Sequence, residues 1–256
     1  MPAWMVARIT FLETLRKKDF FVLLILLGLY ALAAMVLLQE KPADDSIRQL
    51  LFSLGLAFGF GAAAILVVVL AARQVPKEIE QGTILPLLAR PISRWQFLEG
   101  KFLACWLVGV IALVCFVALI RVLVRPPTHF SEVLFAQTIV LKVAGLGALT
   151  AITLMFSLFL PEALNIVLSL GYYFFWGILF NIFQSALGPA GGTGERLLGR
   201  ILYAFPHLEV LNISRVCLAQ SEPLAWILTL SLIVYAAGYA AIALLVAYNL
   251  FERRWV

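Results

Sequence analysis

Long apolar stretches alternate with short polar segments along the whole chain, and this alternation predicts membrane-spanning helices. A helix needs about 20 consecutive apolar residues to cross a hydrocarbon layer about 30 Å thick. Six stretches meet this requirement, with approximate bounds 20–38, 50–72, 102–124, 133–160, 163–186 and 224–251. The sequence therefore predicts an all-α membrane protein with six transmembrane helices in a single domain over residues 1–256.

Residues 3–18 precede the first apolar stretch and form a loosely amphipathic pattern that ends in three basic residues. One interpretation is an N-terminal helix that lies in the membrane interface. The alternative is a basic region in front of a signal anchor. We expect no cleavage, because the apolar stretch 20–38 is longer than the core of about 7–15 residues found in signal peptides.

The polar segment 73–101, between the second and third apolar stretches, is rich in charge. A charge at the centre of a membrane helix costs about 2.5–3.5 kcal/mol on insertion scales, so we expect this segment to lie outside the lipid. Its charged residues are Arg73, Lys77, Glu78, Glu80, Arg90, Arg94, Glu99 and Lys101.

Prolines and a capping pattern predict the local structure of this segment. Pro76 is suited to open a short helix that runs to Ile84, and Pro86 then predicts a break. Ser93 and Gln96 stand at capping-box spacing before the next apolar stretch, which predicts the start of a helix there. We therefore expect a short amphipathic element at the membrane surface, followed by a spanning helix.

From Glu78 the chain reads E-x-x-x-G-T-I-x-x-L-L-A-R-P-I-S-R-x-Q-F-x-x-G-K. This pattern, over about thirty residues with its flanks, resembles the cytoplasmic loop of the ABC type-2 permease family. The resemblance implies that the segment contains a coupling helix, which docks on a separate ATP-binding subunit. The sequence LYAFPHLEVLN, before the last apolar stretch, resembles the outer segment of the same family, which implies short outer helices there.

The resemblance also implies which residues contact the ATP-binding subunit. An apolar set would enter the cleft of that subunit, a charged set would fix the register, and a glycine would permit close approach. The candidate residues are Glu78, Glu80, Gly82, Thr83, Ile84, Leu85, Leu87, Leu88, Arg90 and Arg94. The alternative for the charged residues is an ordinary solvated surface.

By this resemblance the chain is the permease subunit of an ATP-driven exporter, which works as a pair with a second copy or a close paralogue. Two ATP-binding subunits would complete the transporter and hold ATP and magnesium. The chain itself is expected to be no enzyme and to bind no cofactor, because its GPAGGTG segment lacks the lysine of a phosphate-binding loop. The alternative class is a nucleotide-independent membrane scaffold or a secondary transporter.

Charge supports a membrane location and predicts an orientation. Charged residues make up 13% of the chain, against about 25% in soluble domains. The basic residues cluster at helix ends, so the net charge of +5 does not point to nucleic acid. Of the 19 Lys and Arg residues, 11 fall on the side of the termini and of segment 73–101. The positive-inside rule then predicts cytoplasmic termini in a bacterial or archaeal inner membrane.

Lys142 is a basic residue near the start of the fourth apolar stretch. The following residues, 143–160, are long enough to cross the membrane without it. We therefore expect its side chain to extend to the outer interface. The alternative is a buried functional residue, which is the usual meaning of an ionisable group inside a membrane.

Two further patterns leave alternatives open. His129 and His207, with Glu132 and Glu209, all fall on predicted outer loops and could converge on a transition metal. The plainer interpretation is two ordinary loop histidines, and we predict no metal site. The glycines of stretch 50–72 form a small-residue surface that favours close helix packing, with a dimer interface or a substrate path as alternatives.

Overall fold

The computed structural model describes residues 8, 10, 25, 28–29, 32, 45–80, 94–124, 131–187, 206–211 and 223–254. These residues form helices and short connecting turns, with no strand among them. The helices are α1 Asp45–Glu80, α2 Arg94–Leu123, α3 Glu132–Ser157, α4 Glu162–Leu187, a 3-10 helix Leu208–Leu211 and α5 Trp226–Arg254.

Five described helices, α1 to α5, are long and apolar enough to cross a membrane. The predicted all-α fold is therefore confirmed for the described part of the chain. The first predicted span, 20–38, lies outside the described residues except for four helical positions, 25, 28, 29 and 32. The predicted interfacial helix 3–18 also lies outside them, apart from helical positions 8 and 10. The six-span arrangement remains a prediction.

Successive helices run in opposite directions, so the bundle has two ends. At one end α1 stops and α2 starts, and the short connection between α3 and α4 passes beside them; we call this the loop end. At the opposite end, the far end, Arg121 of α2 forms an ion pair with Glu132 of α3. There Gln137 of α3 also exchanges two hydrogen bonds with the backbone of Leu224, just before α5.

Helix α3 is the centre of the bundle and contacts the other four long helices and the 3-10 helix. Sixteen of its 26 residues are buried, so its polar side chains need partners inside the protein. Three threonines meet this need within the helix. Thr138, Thr150 and Thr153 each donate a hydrogen bond to the carbonyl four residues earlier.

Helix α1 continues through Pro76 to Glu80, so the predicted helix start at Pro76 is wrong. A proline inside a helix removes one backbone hydrogen bond and costs about 3 kcal/mol. Two features beside Pro76 offset this cost. The side chain of Val75 is buried, and Glu78 forms an ion pair with Lys101. At 36 residues the helix is about 54 Å long, which leaves its charged last turns beyond a hydrocarbon layer of about 30 Å.

Helix α2 is described from Arg94 onward. Ser93 lies outside the described residues, so the helix start predicted from the capping pattern stays a prediction. The first eight residues of α2 belong to the polar segment 73–101. Segment 73–101 is therefore helical at both ends, over 73–80 and 94–101. Within this segment, residues 81–93 are the ones that lie outside the described residues.

Glycines allow close approach between the helices. Any Cβ atom at Gly59 of α1 would lie 3.0 Å from Cβ of Phe116 in α2, and one at Gly109 of α2 would overlap Cγ2 of Val67 in α1. Packing inside the bundle is therefore the role of these two glycines. In contrast, a Cβ atom at Gly171 of α4 would meet nothing within 4 Å.

Gly109→Ala is predicted to destabilise the protein, because the added methyl group forces Val67 or the helix backbone to move. Overpacking of this kind costs about 1–3 kcal/mol, which exceeds the gain of about 1 kcal/mol from better helix propensity. Gly171→Ala is the matched control and should be neutral or slightly stabilising. The measurement is thermal unfolding in detergent micelles, and Val67→Ala should restore part of the loss. Equal effects at positions 109 and 171 would contradict this account of α1–α2 packing.

Candidate functional site

Most of the residues predicted to contact an ATP-binding subunit lie outside the described part of the chain. These are Gly82, Thr83, Ile84, Leu85, Leu87, Leu88 and Arg90. Glu80 ends α1 and Arg94 begins α2, as helical positions whose side chains are not described. Glu78 is described in full. The roles of these ten residues stay predictions. The structure does describe the two helix ends that flank residues 81–93.

Lys101 connects the start of α2 to the last turns of α1. Its ammonium group forms an ion pair with Glu78 and donates a hydrogen bond of 3.0 Å to Oε1 of Gln74. It also lies 5.6 Å from the ring centroid of Phe97, one turn earlier in α2. Gln74 and Glu78 are four residues apart and so share one face of α1. We call Gln74, Glu78 and Lys101 the polar tie.

Burial makes the polar tie a strong constraint. The side chain of Lys101 is 6% exposed and that of Glu78 is 15% exposed. Loss of one partner from a buried ion pair leaves an uncompensated charge and costs about 3–5 kcal/mol. The two helix ends that flank residues 81–93 are therefore held together by charges that cannot easily separate. In the sequence these charges are visible only as part of a polar segment. The four-residue spacing of Gln74 and Glu78 is the one sequence signal that both could contact the same partner.

A second ion pair joins the loop end of α1 to α4. Nε of Arg73 lies 2.6 Å from Oε1 of Glu162, the first residue of α4. Both side chains are more than one third exposed, at 37% and 44%. A pair as exposed as this typically contributes about 0–1 kcal/mol. It therefore orients α4 beside α1 and adds little to stability.

Aromatic contacts attach the start of α2 to the last turns of α5. The rings of Phe97 and Phe251 stack with centroids 6.0 Å apart. Trp95 meets Tyr248 edge to face at 5.6 Å. Phe97 and Phe251 belong to a buried apolar cluster at the loop end, which also contains Val75 of α1 and residues of α3. These contacts join the start of α2 to α1, α3 and α5 at the loop end.

The segment 206–211 lies deep between the helices. The side chain of Leu211 packs against Gly145, thirteen residues and about 20 Å into α3. Tyr172 of α4 donates a hydrogen bond to the carbonyl of Pro206. The backbone N–H of His207 donates one of 2.8 Å to the hydroxyl of Tyr235 in α5. The segment thus reaches the middle of α3 along the length of that helix.

Lys142 also departs from the prediction. Its side chain is buried, and its ammonium group lies 4.9 Å from the ring centroid of Phe60. Because this side chain is buried among the helices, it does not extend away from the bundle as the sequence predicts. The ring of Phe60 offers a closer stabilising contact.

A metal site is not assembled by the described residues, in which no three His, Cys, Asp or Glu side chains come together. Glu132 forms an ion pair with Arg121. His207 contacts Trp176 edge to face, with ring centroids 6.3 Å apart. His129 lies outside the described residues.

These observations define a class: a multi-pass α-helical membrane protein with a charged segment fixed to the base of its helical bundle. Comparison with known families gives the particular assignment. The family described as ABC-2 family transporter protein matches residues 4–256, so the chain belongs to this family. Its members are membrane transport components that are not themselves the ATPase, and the family in general implies an ABC ATP-binding partner. The comparison with curated proteins finds no significant match.

Lys101→Met is predicted to destabilise the protein by about 3–5 kcal/mol, because it leaves the Glu78 carboxylate buried beside an apolar side chain. The double variant Lys101→Met with Glu78→Met should recover most of this loss, since an apolar pair of similar volume carries no buried charge. Denaturant unfolding in detergent micelles, followed by circular dichroism, gives the free energies.

Arg121→Met provides the matched control for this prediction. Its ion pair with Glu132 lies at the far end, with side chains 39% and 61% exposed, so its loss should cost about 1 kcal/mol or less. A Lys101→Met variant that is no less stable than Arg121→Met would show that the polar tie is not a constraint.

Proposed function

We propose that the chain is the permease subunit of an ATP-driven ABC transporter and works as an exporter. In this proposal a separate ATP-binding subunit docks on segment 73–101. Family membership supports the permease role. The observation that carries the coupling role is the polar tie, which fixes both ends of the predicted docking segment to one another at the base of the bundle.

The proposed mechanism is a rigid-body transfer of motion. ATP-driven closure of the ATP-binding subunits would displace residues 81–93. Because Lys101 holds α2 against α1, both helices would move as one body and not hinge apart. The contact between Phe97 and Phe251 would carry the displacement into α5. Movements of packed helices of this kind can switch a bundle between inward-open and outward-open states.

The contact with the ATP-binding subunit follows the roles predicted from the sequence. Ile84, Leu85, Leu87 and Leu88 would enter its cleft, and Gly82 with Thr83 would permit close approach. Glu80, Arg90 and Arg94 would provide charge complementarity and set the register. Glu78 is the exception among the charged candidates, since its ion pair with Lys101 supports a role inside the permease.

The complete transporter is proposed to contain two copies of the permease, or one copy with a close paralogue, and two ATP-binding subunits. The burial of the spans supports a further contact surface. Only 17% of the apolar span in α4 and 28% of that in α5 is buried, against 67% in α1. Lipid and a second permease copy are the apolar surroundings that these faces fit.

The proposed location is the cytoplasmic membrane of a bacterium or archaeon, with the loop end in the cytoplasm, where ATP is available. Helix α5 ends at Arg254 on the same side as segment 73–101, which supports a cytoplasmic C-terminus. The N-terminus is expected on the same side by the positive-inside rule.

One observation favours a second candidate, a nucleotide-independent secondary transporter. Lys142 is an ionisable residue buried in the bundle, and such residues are frequent in ion-coupled transporters. The two candidates differ in whether an ATP-binding chain is a stable partner.

Co-purification from native membranes distinguishes the two candidates. The tagged chain, extracted in mild detergent, is predicted to retain a stoichiometric ATP-binding chain, identified by mass spectrometry. The variant Glu80→Arg with Leu88→Asp should lose it, because it reverses a charge and places a carboxylate in an apolar contact. The matched variant Glu195→Arg with Leu197→Asp, on the predicted outer loop, should keep it.

Size-exclusion chromatography of the permease alone verifies that the wild type and both double variants are folded. An intact permease that retains no ATP-binding chain would favour the secondary transporter. Equal loss from both double variants would reject segment 73–101 as the docking surface.

A further inference from the structure

Helix α4 carries a polar stripe along one face of its first turns. Glu162, Asn165 and Ser169 are spaced i, i+3 and i+7, so they lie on the same side of the helix. The apolar surface of α4 is largely exposed, since 17% of its apolar span is buried, against 61% in α3. The attachment of α4 to the bundle therefore depends more on polar contacts than that of α3.

Two residues of this stripe form a buried hydrogen-bonded group with α3. Nδ2 of Asn165 donates a hydrogen bond of 3.1 Å to the backbone carbonyl of Thr153, and the hydroxyl of Ser169 donates one of 3.0 Å to Oδ1 of Asn165. All three residues are buried. We call Thr153, Asn165 and Ser169 the polar seam. Because these groups can also bond to water, hydration of the seam costs less than hydration of an apolar contact.

The ion pair between Arg73 and Glu162 lies where the polar seam meets the loop end. Glu162 is three residues before Asn165 on the same face of α4, and Arg73 is the first residue of segment 73–101. Both side chains are partly exposed, so water competes for the two charges and the pair can break and form again at little cost.

The contacts that join α1, α2 and α5 at the same end are more strongly protected. Lys101 and Glu78 are largely buried, and so are the stacked rings of Phe97 and Phe251. To break a buried ion pair costs several times more than to break an exposed one. A displacement of the loop end is therefore expected to separate α4 from α1 before it separates α1, α2 and α5.

We propose that Arg73 and Glu162 form a reversible lock on an opening between α4 and the rest of the bundle at the loop end. When the pair is formed, the polar seam is closed and excluded from water. When the pair breaks, the first turns of α4 move away from α1, and water reaches Asn165 and Ser169. The proposal rests on the proposed function only in placing this opening on the cytoplasmic side and in connecting it, through Arg73, to the docking segment.

The test measures access of water to the polar seam in the purified permease without an ATP-binding subunit. Ser169→Cys is introduced into a protein whose three native cysteines are replaced by serine, and the rate of its labelling by a polar maleimide is followed in detergent micelles. Glu162→Gln should raise this rate by up to about fivefold, the factor that corresponds to the upper end of the contribution of an exposed ion pair. The charge swap Arg73→Glu with Glu162→Arg should return the rate towards that of the intact pair.

Two controls and a second reporter accompany this measurement. Glu132→Gln removes an exposed ion pair at the far end and should leave the labelling of Ser169→Cys unchanged. A protein that keeps Cys105, which is buried between α1 and α2, as its single cysteine should label equally with and without Glu162→Gln. Thr153→Cys is the second reporter, because Thr153 enters the polar seam through its backbone carbonyl, which this substitution keeps.

Three results would overturn the lock. They are an unchanged rate at both reporters in Glu162→Gln, an equal rise caused by Glu132→Gln, and a charge swap that labels as fast as Glu162→Gln. A parallel rise at Cys105 would show general loosening of the bundle and would also contradict the proposal. Since no ATP-binding chain takes part, a negative result removes the lock alone, and the docking of that chain is tested separately by co-purification.

Discussion

The buried ion pair between Lys101 and Glu78 is the interaction on which the loop end of the bundle depends. It forms where two helices leave the membrane and where residues 81–93 connect them. Without it, the last turns of α1 and the first turns of α2 would lose the polar contacts that join them. With it, both helix ends share one position, and the aromatic contacts of Trp95 and Phe97 attach that position to α5.

The interior of the bundle follows a related constraint, because a polar group in the membrane must find its partner within the protein. Most polar side chains of α3 comply: Thr138, Thr150 and Thr153 bond to their own helix, and Gln137 bonds to the backbone of Leu224. Lys142 is the exception among the described residues of this helix, since an aromatic ring is its stabilising neighbour. An exception at the centre of an otherwise satisfied helix is where a functional role is expected.

Some of this could be predicted from the sequence and some could not. The apolar stretches located α1 to α5, because membrane thickness fixes the length of a spanning helix. The helix start predicted from the capping pattern at Ser93 stays a prediction, because Ser93 lies outside the described residues. Pro76 was misinterpreted, because burial of Val75 and the ion pair of Glu78 outweigh its local cost. The environment of Lys142 depends on the rotation of α3 about its axis, and the position of segment 206–211 depends on its contacts with Tyr172 and Tyr235, neither of which a single sequence specifies.

The central claim, that segment 73–101 receives an ATP-binding subunit, is tested most directly by site-specific photo-cross-linking in cells. A photoreactive amino acid replaces Leu88 in one strain and Val122, an exposed residue at the far end of α2, in another. The account predicts a cross-link from position 88 to a chain that binds ATP, and none from position 122. No such adduct at position 88, or the same adduct from both positions, would contradict it.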